Sequence, residues 1–300
     1  MILCVGLSPA WDITYELGAL TVAAVNRADA VSGRAGGKAT NVARVLQALG
    51  EDVLLLTTLG GHVGEVFRAD LEDAGVPAHV VPDEHETRVT STFVTPDGLE
   101  PTVVNAPAVI SSFERVLDEV ARTDADLVVA SGSLPQGAPD DAYAQIVEAA
   151  RSRGTDVIVD TSGPALAAAL TARPAAVKPN SLELAALALG ADPLAVASQL
   201  AAGGTDVVVS LGPDGMLACT AEGAWRAAPP RMVRGNPTGA GDSVVAALAR
   251  GRLRGWAWPD VIGDAVALAG ATVASPVGGA FDEQVYRELS ATVAVQEVEA

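Results

Sequence analysis

Four short apolar runs, VLLLTTLG at 53–60, DLVVASG at 126–132, DVIVDT at 156–161 and DVVVSLG at 206–212, read as strands buried on both faces. Between the runs the period changes. Val42, Val45, Leu46 and Leu49 recur at helical spacing, and Gly50 is placed to end that helix. Segments 140–153, 181–189 and 240–254 also read as helices. This alternation predicts a mainly parallel sheet covered by helices on both sides. Residues 12–34 and 86–105 break the pattern. The second of these, TRVTSTFVTPDGLEPTVV, reads as two alternating strands around Pro96-Asp97-Gly98. Strand pairs inserted into such a fold form either a small β lid over the strand ends, where ligands bind, or an edge decoration. No internal repeat and no separating linker is present, so residues 1–300 are expected to form one α/β domain. After Pro276, GGAFDEQVYREL reads as a loop leading into an amphipathic helix.

Composition narrows the function. With 49% hydrophobic and 19% charged residues in 300, the chain can bury a large core and is not a disordered type. A formal net charge of −18 argues against nucleic acid or an anionic membrane as partner. Any phosphate site must therefore gather cations and backbone N–H groups against the overall field. Two cysteines, Cys4 and Cys219, make no disulfide framework, so a reducing cytoplasmic setting is expected. The start MILCVGLSPAWD lacks a basic leader, and no apolar run reaches spanning length. Three histidines give little basis for a histidine metal site.

Three motifs carry chemistry. In Asn236-Pro237-Thr238-Gly239-Ala240-Gly241-Asp242-Ser243, glycines allow a tight turn with exposed N–H groups, and the following helix adds its positive end. Such a turn suits the charge of a transferring phosphoryl group, with Asp242 placed to take a proton from an attacking hydroxyl. Alone, Asp242 is better explained as a first-turn helix residue favoured by the dipole, with the glycines forming a loop. Walker A fails around Gly37-Lys38, where Ser32 and Ala39 occupy required positions. The dinucleotide fingerprint fails because Val244 stands at its third glycine. The second motif, Gly36-Gly37-Lys38-Ala39-Thr40-Asn41, allows close approach of a polyhydroxylated ligand with Asn41 as donor and acceptor, or simply caps a helix. In the third, Lys178-Pro179-Asn180-Ser181-Leu182-Glu183, Lys178 offers a cation, while Asn180 and Glu183 offer oxygens for hydrated Mg²⁺ or for a capping box.

Taken in order and spacing, these motifs resemble the PfkB (ribokinase-like) carbohydrate kinases, as do SGSLPQG (131–137), DTSGPAL (160–166) and VVVSLGPDGML (207–217). The resemblance implies a three-layer α/β/α ribokinase-like domain with a small β-sheet lid that often mediates dimerisation. It implies ATP and Mg²⁺, with Asp242 as base and Gly239, Ala240 and Gly241 as anion hole. Lys178, Asn180 and Glu183 match the segment serving nucleotide phosphates and metal. Ser210, Gly212 and Gly215 match a nucleotide loop, and Asp12, Gly36, Gly37, Lys38 and Asn41 match the sugar grip. SPAWD, Asn26-Arg27, Lys38 and Thr87-Arg88 look most like the branch acting on sugars that already carry phosphate, with Arg27, Lys38 and Arg88 as cations for that phosphate. Fructose 1-phosphate leads as acceptor. Tagatose 6-phosphate, fructose 6-phosphate, an unphosphorylated sugar or nucleoside, and a non-catalytic sensor stand as alternatives. Ala39, Asn236-Pro237-Thr238 and NAPA (105–108) depart from that branch, and TGAGD is closer to ribokinase-type members.

Overall fold

A computed structural model describes residues 1–96 and 101–299. Fourteen strands and ten helices occur among them. The strands are β1 (Ile2–Gly6), β2 (Ala10–Glu16), β3 (Ala30–Gly36), β4 (Val53–Leu59), β5 (Ala78–Pro82), β6 (Arg88–Val94), β7 (Thr102–Asn105), β8 (Leu127–Ser131), β9 (Asp156–Asp160), β10 (Ala176–Val177), β11 (Asp206–Ser210), β12 (Met216–Thr220), β13 (Gly223–Ala228) and β14 (Ala294–Val298). The helices are α1 (Lys38–Ala48), α2 (Gly61–Asp73), α3 (Phe113–Arg122), α4 (Ala142–Arg151), α5 (Gly163–Thr171), α6 (Ser181–Ala188), α7 (Pro193–Ala202), α8 (Ala240–Arg254), α9 (Trp258–Ala274) and α10 (Glu283–Ser290).

Ten strands form one sheet in the order β14-β13-β12-β11-β10-β9-β8-β1-β4-β5. The seven from β11 to β5 are parallel, and β12, β13 and β14 continue antiparallel. Alternate residues of each central strand feed opposite cores. Ile2 and Cys4 of β1 join α1, α2, α8 and α9 on one side, whereas Leu3 and Val5 join α3, α4 and α5 on the other. Burial on both faces explains why these strands read as unbroken apolar runs. Both cysteines are buried and unpaired. No single helix among the described residues is long and apolar enough to cross a membrane.

The two segments without helical period supply a separate four-stranded sheet, β3-β2-β6-β7. β2 begins two residues before and β3 ends two residues after the expected 12–34, β6 and β7 fall within 86–105, and residues 17–29 form the connector between β2 and β3. Asp97 and Gly98 of the expected turn lie outside the described residues. Trp11 covers the outer face over Gly33, where a Cβ would stand 2.8 Å from its ring. Asp70 on α2 ties the small sheet to the main body by accepting from the Ala35 backbone at 2.9 Å and pairing with Arg44. The antiparallel edge β12–β14 is the main feature that the strand runs did not foretell. Of its strands only β12 carries an apolar run.

Candidate functional site

Residues at the carboxyl ends of β9 and β10 and at the N-termini of α1 and α8 face the small sheet across a cavity of about 460 Å³. Strand register fixes the ceiling. Arg34, Asp12, Thr90 and Asn105 lie in one rung across the four strands, and Ser32, Thr14, Thr92 and Val103 form the next. All eight line the cavity. Arg88 sits one rung below, opposite Ala10, and donates to the carbonyls of Ala106 at 3.3 Å and Ser8 at 3.5 Å. Asp12 needs Gly36, since a Cβ there would stand 1.9 Å from its carboxylate. Burial pushes the Asp12 carboxyl upward, opposed by Thr90, Arg88, the Gly37 N–H and Arg34.

The floor is the Asn236–Ser243 turn. Gly239 caps α8 with φ +84° and no side-chain cap. Ala240 donates its N–H to Pro237 O at 3.1 Å. Those of Gly239, Gly241 and Asp242 make no hydrogen bond among the described residues. They point where the helix adds its positive end, an arrangement that attracts anions. Asp242 is 6% exposed and accepts from Asn41 Nδ2 at 2.8 Å. Burial first, and the charge of Asp160 second, push its carboxyl up to about 7, against Lys38, the Asn41 bond and Lys178. Asn41 is held in turn by Gly279, where a Cβ would fall 2.6 Å from its Oδ1.

Asp160, at the end of β9, is the centre that sequence reasoning missed. It is 1% exposed, and it pairs with Lys38 at 3.1 Å and Lys178 at 3.5 Å. Burial opposes its charge, yet Lys178 and Lys38 hold the carboxyl below the usual range. Burial likewise opposes the charge of Lys38, which Asp160 and Asp242 nonetheless hold above its ordinary value. Arg34 was missed as well. It lies directly opposite Asp12, lines the cavity and donates to Gly278 O at 2.7 Å.

A second cavity, of about 950 Å³, adjoins the first at Thr14 and Asn236 and is walled by Gly212, Gly215, Met216, Val233, Ala240, Val266 and Val273. The turn thus stands between a charged chamber and a larger apolar one. Of the residues singled out from sequence, Asp12, Gly37, Lys38, Asn41, Arg88, Lys178, Gly239, Gly241 and Asp242 line the first cavity. Gly212, Gly215 and Ala240 line the second. Arg27 lies exposed on the 17–29 connector and lines neither, so its expected place beside the cavity falls to Arg34. Ser210 also lines neither, because its strand end bridges to Asn180. Asn180 and Glu183 form a reciprocal capping box at 2.8 and 2.9 Å, leaving one Glu183 oxygen unused.

Residues 1–283 match the model of the pfkB family carbohydrate kinases. A 1-phosphofructokinase of Xanthomonas campestris pv. campestris is 39% identical over 260 residues, covering 82% of each chain. The phosphofructokinase-2 of Escherichia coli in complex with fructose-6-phosphate superposes with TM-score 0.88 at 29% identity, over 96% of this chain and 99% of that one. Arabidopsis thaliana ribokinase complexed with ribose and ATP superposes with TM-score 0.75 at 22% identity, over 96% and 98%, and shares the fold.

Proposed function

This chain belongs to the pfkB family of carbohydrate kinases and is an ATP-dependent sugar-phosphate kinase; we propose that its acceptor is fructose 1-phosphate and its product fructose 1,6-bisphosphate. The observation that carries this is the charge balance of the smaller cavity. On a protein of net charge −18, four cations (Arg34, Lys38, Arg88 and Lys178) meet three carboxylates there. Lys38 and Lys178 share Asp160 beside the turn, which leaves Arg34 and Arg88, on the small sheet, as the cations for a phosphate that the acceptor already carries.

ATP lies with its base in the apolar cavity beside Gly212 and Gly215 and its phosphates toward the turn. The N–H groups of Gly239, Gly241 and Asp242 take the charge that develops on the transferring group. Asp12 and Asn41 hold acceptor hydroxyls, and Arg88 holds the phosphate the sugar already carries. Asp242 takes the hydroxyl proton as the new O–P bond forms and the bond to the ADP oxygen breaks. A carboxyl poised near 7 suits a base that must be free at neutral pH and still accept a proton. The unused oxygen of Glu183 and its neighbour Asn180 fit a hydrated Mg²⁺ held through water. When bound, that ion supplies positive charge to the nucleotide phosphates. The ten-stranded and four-stranded parts work as one kinase unit in which the small sheet closes as a lid and keeps water from competing as acceptor. A second copy of the chain packs on the outer face of that sheet, where Tyr15 stacks on Phe93 and Val31 and Val104 are 60% and 56% exposed. Two buried free thiols agree with a reducing, cytoplasmic setting.

The test is ADP release with Mg-ATP across fructose, fructose 1-phosphate, fructose 6-phosphate, tagatose 6-phosphate and ribose, using the parent and Arg88→Ala. The expected result is turnover on fructose 1-phosphate, with KM for that acceptor raised at least ~10-fold in Arg88→Ala, as befits losing a charged hydrogen-bond partner. Turnover only on unphosphorylated sugars, or an unchanged KM in the variant, refutes the acceptor.

A further inference from the structure

Of the nineteen lysine and arginine residues in this sequence, only Lys38 and Lys178 are lysines. Both end on the same buried carboxylate. Lys38 Nζ lies 3.1 Å from Asp160 Oδ2, and Lys178 Nζ lies 3.5 Å from Oδ1. Apart from three histidine pairs, the other side-chain cations paired among the described residues are guanidinium groups, including the buried Arg44 and the largely buried Arg250. Composition therefore does not explain the two exceptions. At Lys178 local space does. Lys178 is 6% exposed and sits under the catalytic turn, where a Cβ on Gly241 would be 3.5 Å from its Nζ. An ammonium is a compact charge with three rotatable donors, whereas a guanidinium is a wider planar fork that needs more room. Arg250 and Arg254 do share the buried Glu51, at 3.1 and 2.7 Å, but Arg254 is 44% exposed there, whereas Lys178 is enclosed beneath the turn and has no such room.

Asp160 itself is tightly enclosed. Ser131 Oγ donates to its Oδ2 at 3.3 Å, and its Oδ1 is buried without a hydrogen bond in the geometric sense, facing Lys178 as an ion pair. The two lysines reach it from separate elements, Lys38 from the first residue of α1 and Lys178 from just past β10. We propose that Asp160 is a positioning residue that holds two ammonium groups beside the path from the apolar cavity to Asp242, and that the enclosed position 178 requires lysine rather than arginine. This rests on the kinase reading above. Each lysine then meets the negative charge of the group in flight without having to be ordered during the step.

Asp160→Asn keeps the shape and removes the charge. Its kcat should fall about 100-fold, the scale of one lost preorganised donor, while KM for the acceptor stays within about threefold. Asp160→Glu, which restores a carboxylate, should recover part of that loss. Lys178→Arg should be impaired on the same scale although the charge is kept. A second readout does not need turnover. Acylation by an amine-selective reagent, located by peptide mass spectrometry, should modify Lys38 slowly in the parent and clearly faster in Asp160→Asn, with Met1 as internal reference. Parental kcat in Asp160→Asn, full activity in Lys178→Arg, or equal Lys38 labelling in parent and variant overturns the proposal. So does an Asp160→Asn loss that vanishes at high Mg²⁺, which would make Asp160 a metal ligand. A parent inactive on every acceptor would refute the kinase reading, and the labelling comparison would still decide whether Asp160 holds Lys38.

Discussion

Asp242→Asn should make the protein nearly inactive and at the same time more stable, by an amount that depends on pH. The carboxyl moves from 3.8 to about 7 because burial and the neighbouring Asp160 charge disfavour its ionised form. A carboxyl with a higher pKa in the folded than in the unfolded chain weakens the fold as it ionises. The penalty is absent below about pH 4, grows as pH rises and is complete above about 7. At about 1.36 kcal/mol per pH unit, the interval from 3.8 to about 7 corresponds to about 4 kcal/mol at pH 8 and about 1 kcal/mol at pH 4.5. Asparagine preserves the shape and can still accept from Asn41 while carrying no charge. Thermal unfolding without ligand should therefore show a midpoint raised by up to roughly 8–12 °C at pH 8, and by only about 2–3 °C at pH 4.5. Turnover should drop at least ~100-fold with the loss of a positioned base. A variant less stable than the parent at pH 8, or a gain of equal size at both pH values, would refute the burial argument. Near-parental turnover would remove Asp242 from the role of base.

Two further outcomes follow from the same neighbourhood. Asn41→Ala deletes a hydrogen bond to a charged carboxylate worth about 1.5–3 kcal/mol, so the acid limb of kcat/KM should move from about 7 upward by about one to two pH units; a limb that stays in place would mean that Asn41 does not tune the base. Gly279→Ala introduces a Cβ 2.6 Å from Asn41 Oδ1 at φ +67°, which should lower kcat about 10-fold or more while the chain still folds, as read by activity beside a circular dichroism melt; an unchanged kcat would show that Asn41 can give way.

The layered fold was legible because its central strands are short, β-branched and buried on both faces, and because Gly50 and the Gly239–Gly241 turn mark helix ends. The helix expected at 240–254 is α8 itself. The cavity was legible where a motif names its own residues. It was not legible where the site is made by distant strands. Asp160 is one of 37 acidic residues, and its partner Lys38 is 122 positions away. The available signal was its place at the end of a parallel strand, where such folds put ligands. Arg34 and Arg27 differ by strand phase. Counting back by twos from Gly36 sets Arg34 and Ser32 on one face of β3, whereas Arg27 precedes the strand altogether. That phase could be assigned only once 30–36 was recognised as a strand.

The two rungs of the small sheet have a consequence for how this enzyme can change. The eight side chains that look down on the acceptor stand on strands whose backbone bonds do not depend on them, whereas the transfer chemistry is fixed to the ends of α1, α8, β9 and β10. Acceptor preference can therefore drift, or be redesigned, by exchanging ceiling residues such as Ser32, Thr14 or Val103 with little risk to phosphoryl transfer. A library confined to those positions would explore new sugars on an unaltered catalytic floor.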